Sequence, residues 1–411
     1  GGAFVAGVDD LSAQYYNPAG LMNLDRPQAY VNTSLVGQSV NFTRMDIDDD
    51  GNVITTYDPV ENIAPMMFIP AFGVSHNFGL KRANFALGFY PPFAPDMEYP
   101  ADGAQRYTLV DSLVWQTYAG PSVAVQPLPW ISVGAGLVWS LFRAEEALSI
   151  NVCNPLVDEE TGCGMGEYDG DQVDLDFALS MMDPFRVTGN FGVLIEPHDK
   201  ISIGASLQPP IDVNGKGSLT ADFAEDHWLS QYLAETHLED DEVSVQVTMP
   251  MVLRMGVEVR PNENLAIEAA TVLQRWCQTT EILVTDINLM LETVAIAGTE
   301  PMEVPITDDV ILPADYDDSW SFRLGGDYDI NDRYTVRSGV HYEMGAVPPA
   351  TQSVALVDAN KWGAALGGSG SSGLPSTRIA DTVARASRNM GSSDFDSGLD
   401  DGLTTTTAAS L

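Results

Sequence analysis

Between Glu242 and Arg260 the chain places Val243, Val245, Val247, Met249, Met251, Leu253, Met255, Val257 and Val259 on every second position. In extended backbone, successive side chains point to opposite faces, so this run makes one apolar face about nine alternate positions long. Such a face is long enough to cross a tilted membrane and exceeds the usual strand of a soluble sheet. Nowhere does the chain approach the ~18 consecutive apolar residues of a membrane helix, which excludes a helical membrane protein. The same rhythm returns late in the chain. Trp320, Phe322, Leu324 and Tyr328 alternate with Ser321, Arg323, Gly325 and Asp327. Tyr334, Val336, Val340, Tyr342 and Met344 then alternate with Thr335, Arg337, Gly339, His341 and Glu343. The polar face carries charges that a packed soluble core does not accept unpaired, whereas a wet or hydrogen-bonded lumen does.

The connections support the same architecture. Short turns rich in Pro, Asn, Asp or charge fall at 80–84, 126–130, 196–200, 260–263 and 330–333. Between them lie long acidic connections at 46–64, 152–170, 214–241 and 286–317. Short and long loops at opposite ends belong to a transmembrane antiparallel β-barrel, with the short ends periplasmic and the long ends outside. The alternation gives about twelve strands, the last near 359–367, and single-chain bacterial barrels have even numbers. The fold class is therefore all-β, and the implied location is the bacterial outer membrane.

Charge narrows the function. Nineteen basic against 58 acidic residues give a net charge of −39, which repels phosphates and argues against nucleic-acid binding. No metal-ligand spacing links His76, His198, His227, His237 and His341, and no phosphate loop or nucleophile elbow is present. An enzyme is not expected. The alternatives left open are an outer-membrane lipid-acting hydrolase with a scattered Ser, His341 and Asp set, and a purely structural barrel.

Two stretches do not read as wall. Residues 1–26 mix Gly, Ala, Asp and aromatics ahead of the first strand and suit a plug inside the lumen. After the wall at 27–367, residues 368–411 lose alternation and aromatics, reading as a polar tail that leaves the barrel unclosed. The opening GGAFVAG has neither the basic start nor the apolar run of a signal peptide, so the chain is taken as a mature or truncated form.

Several local motifs carry expectations. Cys153 and Cys163 share an acidic, Gly-rich segment and form either a loop-closing disulfide or two free thiols, while Cys277 reads as a packing residue. Asp46, Asp48, Asp50 and Gly51 match the first half of a calcium loop, but Tyr57 stands where a bidentate Glu belongs, so a solvated acidic loop is the favoured alternative to Ca²⁺. No other cofactor is expected. Residues 221–240 place Phe223, His227, Leu229, Tyr232 and Leu233 near helical spacing and predict an amphipathic loop helix. Arg106 is a candidate partner for a fatty-acid carboxylate, or alternatively for acids of the lumen.

GGAFVAGVDDLSAQYYNPAGL, with Asn17, Pro18 and Ala19, resembles the amino-terminal hatch of the FadL family of outer-membrane hydrophobic-compound transporters. Further resemblance comes from GAQRYTLVDSLVWQTYAGPSVAVQPLPWISVGAGLVW and from WSFRLGGDYDINDRYTVRSGVHYEMGAVPPATQSVALVDANKW, similar to the fourth and fifth strands and the late strands of that family. The resemblance implies a barrel of about fourteen strands, an internal hatch, a kinked third strand and passage of ligand sideways into the bilayer. It also implies that a short segment precedes the hatch glycines. Long-chain fatty acids or similar hydrophobic molecules are the implied cargo, in a monomer surrounded by outer-membrane lipid and lipopolysaccharide.

Carried onto this chain, Pro91 and Pro92 interrupt a strand and suggest a wall opening lined by Phe89, Phe93 and Pro95, against the alternative of a strand ending in a loop. The resemblance makes Trp228, Leu229, Tyr232 and Leu233 candidates for a surface capture groove, with packing on the barrel rim equally open. Phe4, Tyr15 and Tyr16 of the hatch are candidates for ligand contact.

Overall fold

In the computed structural model, which describes residues 2–47, 52–151, 174–223, 233–240, 242–293, 303–306, 309–348, 354–355, 358–371, 378–389 and 402–410, the alternating segments form an antiparallel sheet that returns on itself. Strand β1 (Gln28–Thr43) pairs with β2 (Met67–His76), and β2 with β3 (Ala83–Phe93). The ladder continues through β4 (Asp111–Leu128), β5 (Ile131–Asn151) and β6 (Asp174–His198). Each of the next four strands is interrupted. These are β7 (Ile201–Gln208, then Ile211–Phe223), β8 (Glu242–Met249, then Met251–Asn262), β9 (Leu265–Arg275, then Glu281–Thr285) and β10 (Val310–Pro313, then Ser319–Asn331). The wall ends with β11 (Tyr334–Glu343), β12 (Lys361–Ser371), β13 (Arg378–Asn389) and β14 (Gly402–Ser410). Strand β14 returns to β1, from Gly37↔Ala408 to Thr43↔Gly402, so the sheet closes into a barrel.

The expected short turns are where the sequence puts them. Leu128 faces Ile131, Asn262 faces Leu265 and Asn331 faces Tyr334 across tight connections. The late alternation also holds: Phe322, Leu324 and Tyr328 are exposed on the outer face, and Ser321 is buried inward. Outward Phe72, Leu87, Leu137, Val257 and Val340 extend this apolar exterior around the barrel. Inward charges of the late strands are paired, with Arg323 Nη2 3.1 Å from Glu343 and Lys361 Nζ 2.9 Å from the same carboxylate.

The continuous lipid-facing stripe expected from Val243 to Val259 does not exist. Below Pro250, Met255, Val257 and Val259 face outward while Val252, Arg254 and Glu258 are buried. Above it the parity reverses, and Val243, Val245 and Met249 are buried. Strand β7 reverses likewise at Pro209 and Pro210: Ser202, Ser206 and Gln208 are buried below, Ile211, Val213 and Leu219 above. Proline has no N–H for the ladder, and a slip of one residue exchanges the two faces of a strand. The upper halves therefore turn their apolar sides inward, where they form a core with Tyr118, Val138, Phe142 and Met181.

Two other expectations change. Both described ends of the segment expected as an amphipathic helix are strand: β7 runs on to Phe223, and Leu233–Asp240 pairs with Asn288–Thr293. The latter pairs in turn with Glu303–Ile306, so the long connections supply a small three-stranded sheet. Backbone pairing with a neighbour here outweighs local helical spacing. The polar tail does not lie outside the wall, because β12 extends to Ser371 and β13 and β14 complete the ring. A ladder is built from main-chain groups, and β-branched Thr404 to Thr407 suit extended backbone without an apolar pattern.

An outward wall position should tolerate no charge. Leu324→Arg is expected to destabilise the barrel by about 2–4 kcal/mol near the bilayer midplane. Urea unfolding in lipid vesicles measures this, and a loss under ~0.5 kcal/mol would place Leu324 off the lipid face.

Candidate functional site

Residues 4–24 lie inside the ring, where strands β3, β4, β6, β7 and β9 touch them. The carboxylate of Glu268 on β9 accepts from three successive main-chain amides: Val5 N at 2.6 Å, Ala6 N at 3.0 Å and Gly7 N at 2.9 Å. From β6, Asn190 Nδ2 donates to the carbonyls of Gln14 (2.7 Å) and Tyr15 (3.1 Å). Ser206 Oγ on β7 donates to the Tyr16 carbonyl at 2.5 Å, and Asn84 Nδ2 on β3 donates to those of Leu21 (2.8 Å) and Leu24 (3.1 Å). The segment also has its own apolar knot of Val8, Leu11, Leu21 and Leu24, resting on Ala86 and Ala124 of the wall.

Within it, Asn17 is fully buried and links three stretches of backbone. Its Nδ2 donates to Val5 O (2.8 Å) and to Val193 O of β6 (3.0 Å), while Oδ1 accepts from Ala19 N at 3.2 Å and caps the 3₁₀ turn Pro18–Asn23. The wall makes room for this motif by omitting side chains. A Cβ on Gly134 would lie 2.3 Å from the Pro18 carbonyl carbon, and one on Gly192 would lie 2.1 Å from Asn17 Oδ1. Only glycine permits backbone to approach so closely.

Above this segment lies a cavity of about 330 Å³. Its floor is Ser12, Tyr15 and Tyr16, and its walls carry Tyr30, Asn32, Tyr90, Tyr118, Gln208, Val252, Arg254, Val272, Gln274 and Arg323. On one side it reaches Ala71, Pro91, Pro92 and Phe93. There the ladder is irregular. Tyr90 faces Tyr118, but the next pair is Phe93 with Gln116, so β3 holds one more residue than β4 between them. On its other side β3 pairs with β2 only between Phe85 and Phe89, leaving Pro91 to Phe93 without a partner on β2.

The extra residue explains the positions of the phenylalanines. Phe89 keeps the outward parity of Phe85 and Leu87 and stacks on Phe72, with ring centroids 4.9 Å apart. Phe93 is turned inward and lines the cavity. The expectation that both line one opening is thus corrected: they flank the break from opposite faces, as a one-residue bulge requires.

Of the other expected residues, Tyr15 and Tyr16 line the cavity, whereas Phe4 packs edge-on against Tyr16 with centroids 5.8 Å apart. Arg106 is not available to a ligand. Its Nε lies 2.8 Å from Asp174 Oδ2 and its Nη2 donates to Tyr107 Oη at 2.6 Å, with Arg106 and Asp174 both buried. Trp228, Leu229, Tyr232, Cys153, Cys163, Asp48 and Asp50 fall outside the described residues; Leu233 begins a strand and Asp46 lies on the short strand Met45–Ile47. Cys277, expected to pack, is exposed. Arg254, Tyr90, Tyr118, Gln208 and Gln274 were not among the expected site residues. Arg254 carried a signal, as a charge on the inward parity of an otherwise Val- and Met-rich strand.

A closed antiparallel barrel with an apolar exterior, a polar lumen and an inward-folded amino-terminal segment is a bacterial outer-membrane barrel of the transport class. The profile of the outer membrane protein transport protein family (OMPP1/FadL/TodX) matches residues 1–370, and the chain belongs to that family. Among solved structures, a Pseudomonas aeruginosa FadL homologue superposes with a TM-score of 0.75 at 16% identity, covering 100% of this chain and 93% of that one. The Pseudomonas putida toluene transporter TodX gives 0.62 at 16% identity, covering 98% of this chain and 92% of that one, and the Ralstonia pickettii toluene transporter TbuX gives 0.59 with the same identity and coverage. At these identities the likeness concerns the fold. A Neisseria meningitidis serogroup B protein named for the outer membrane is 30% identical over 111 residues, which is 26% of this chain and spans 23% of that relative's length.

Glu268→Leu removes the acceptor for three buried amides, costing about 3 kcal/mol in local stability. Protease cleavage within residues 1–25 of the folded barrel is expected to rise about a hundredfold. Equal cleavage rates in both proteins would show that Glu268 does not anchor the segment.

Proposed function

We propose that this chain carries long-chain fatty acids or other hydrophobic small molecules passively across the outer membrane. The ligand is captured in an outer groove that includes Trp228, Leu229, Tyr232 and Leu233. It passes to the lumen cavity beside a hatch formed by residues 1–26 and leaves through the wall at Pro91 and Pro92. One observation carries this reading: the cavity touches Tyr15 and Tyr16 on one side and the unpaired stretch of β3 on another. The solved structures it resembles include toluene transporters, which supports an apolar cargo. Apolar transfer supplies the driving force, at about 0.8 kcal/mol for each buried CH₂.

The break in β3 is the step to test. Two adjacent prolines remove two ladder donors where unsatisfied groups in hydrocarbon cost several kcal/mol, so a gap there needs a reason to persist. Replacing them together, Pro91→Val with Pro92→Thr, restores both donors. Uptake of a labelled fatty acid by cells with the inserted double variant is expected to fall at least tenfold, with binding to the purified protein retained. Undiminished uptake rules out the lateral route, and loss of both uptake and binding marks a misfolded barrel.

A further inference from the structure

The ladder between β6 and β7 parts and rejoins without losing register. Above, Met182 faces Lys216, and below, Phe191 faces Leu207, yet among the described residues no pairing joins 183–190 to 208–215. The two stretches are equal in length, so they could zip together with no slip. Each keeps its ladder only on the far side. Arg186 to Asn190 pair with Ser140 to Gly136 of β5, and Ile211 to Gly215 pair with Met249 to Val245 of β8. Prolines account for the parting, since Pro184, Pro209 and Pro210 have no N–H to offer a partner. At the upper end side chains stand in for the main chain. Asp183 accepts from Asn214 N at 2.7 Å, Arg186 Nη2 donates to Asn214 O at 3.2 Å, and the two side chains form an ion pair. Trp139 Nε1 donates to the Pro184 carbonyl at 2.9 Å. Lower down, among the described residues, no hydrogen bond spans the slit from 187–190 to 208–213.

The slit faces hydrocarbon on one side and the lumen on the other. Outside it, Leu137, Phe185 and Val187 are exposed, and the row above them, with Arg143, Met182 and Lys216 in register, carries exposed charges. Inside, Ile211 and Val213 are buried with Val138 and Tyr118, and Tyr118 and Gln208 line the cavity. Main-chain groups without a ladder are costly at membrane depth, so a slit that could zip but does not needs a reason to persist. We infer that it is a second lateral port, separated from the break in β3 by β4 and β5. Uncharged apolar molecules dissolved in the surrounding lipid enter there, reaching the apolar layer above the cavity, with Asp183 and Arg186 as the latch. The inference rests on the transport reading above and adds an entrance that requires no capture from water. A molecule on this path exchanges lipid contact for Phe185, Val187, Ile211 and Val213, so its apolar surface is never hydrated. The latch parts readily, because the Arg186 side chain is 36% exposed and can take water in place of Asn214 O. A charged solute, by contrast, is desolvated along the whole path.

The test is labelling of a thiol at the inner edge of the slit. Val213→Cys is introduced into the full chain carrying Cys153→Ser, Cys163→Ser and Cys277→Ser, and the protein is inserted into phosphatidylcholine vesicles. Two reagents are compared, pyrene maleimide dissolved in the membrane and the charged sulfonatoethyl methanethiosulfonate in the water, each rate taken relative to that with glutathione. The apolar reagent is expected to react faster by at least about tenfold. Pro184→Val with Pro209→Thr and Pro210→Val supplies the missing donors in the existing register. It is expected to slow pyrene labelling about tenfold, the factor for one strong ladder hydrogen bond. Arg186→Met, which removes the latch, is expected to speed it about three- to tenfold. Equal or faster relative labelling by the charged reagent overturns the inference, as does absence of labelling by the apolar one. So does a folded triple-proline variant labelled at the original rate; where that variant does not fold, an unchanged rate in Arg186→Met overturns the inference alone. None of these outcomes alters fatty-acid uptake through Pro91 and Pro92, so the transport reading stands or falls by its own measurement.

Discussion

Hydrocarbon offers the main chain no hydrogen bonds, and the rest of this structure follows from that one constraint. Every N–H and C=O that crosses the membrane must find a partner on a neighbouring strand, so the sheet must return to its start. The pairing of β14 with β1 meets this need using Thr404 to Thr407, a sequence with no apolar alternation. Side chains select the face of a strand, but the ladder itself is indifferent to them. A tail that reads as polar and unstructured in isolation can therefore complete a wall whose other strands are already in register.

Prolines mark where the constraint is relaxed or used. At Pro209, Pro210 and Pro250 the ladder steps, the faces of β7 and β8 exchange, and apolar side chains turn from the exterior to the lumen. At Pro91 and Pro92 it breaks between β3 and β2. The lumen is layered as a result. Residues 4–24 are held below by amides, carboxylate and glycine; the cavity with Arg254 lies in the middle; the core of Val213, Val243, Val245 and Phe142 lies above.

Periodicity made the fold legible because a barrel wall has two solvents and a period of two. The short turns at 129–130, 263–264 and 332–333 were legible for a related reason, since tight reversals demand particular residues. The face reversal at Pro250 was not, because alternation counted along one strand cannot report which way the next half points. Residues 221–240 read as helix for a comparable reason: spacing reports amphipathicity, while pairing of Leu233–Asp240 with Asn288–Thr293 depends on residues some fifty positions away. In the site, Tyr15 and Tyr16 were within reach of the family resemblance. The engagement of Arg106 was not, because only the folded chain reveals that Asp174 occupies it.

The same contrast bears on the direction in which ligand leaves. A downward path must displace residues 4–24, which are fixed by directional bonds from Glu268, Asn17, Asn190, Ser206 and Asn84 at 2.5–3.1 Å. Each such bond contributes roughly 0.5–1.5 kcal/mol net, and each buried group left unpaired costs more. Apolar burial is non-directional and can supply energy, but it cannot replace an acceptor for Val5, Ala6 or Gly7. A sideways path between β2 and β3 meets no ladder bond beyond Phe89 and Phe72, since none links those strands there. On the proposed transport reading, an apolar ligand driven by dehydration would meet a costly route through the polar floor and a cheap one through the break. On that reading the positions of Glu268 and Pro91, more than any property of the ligand, would set the preference.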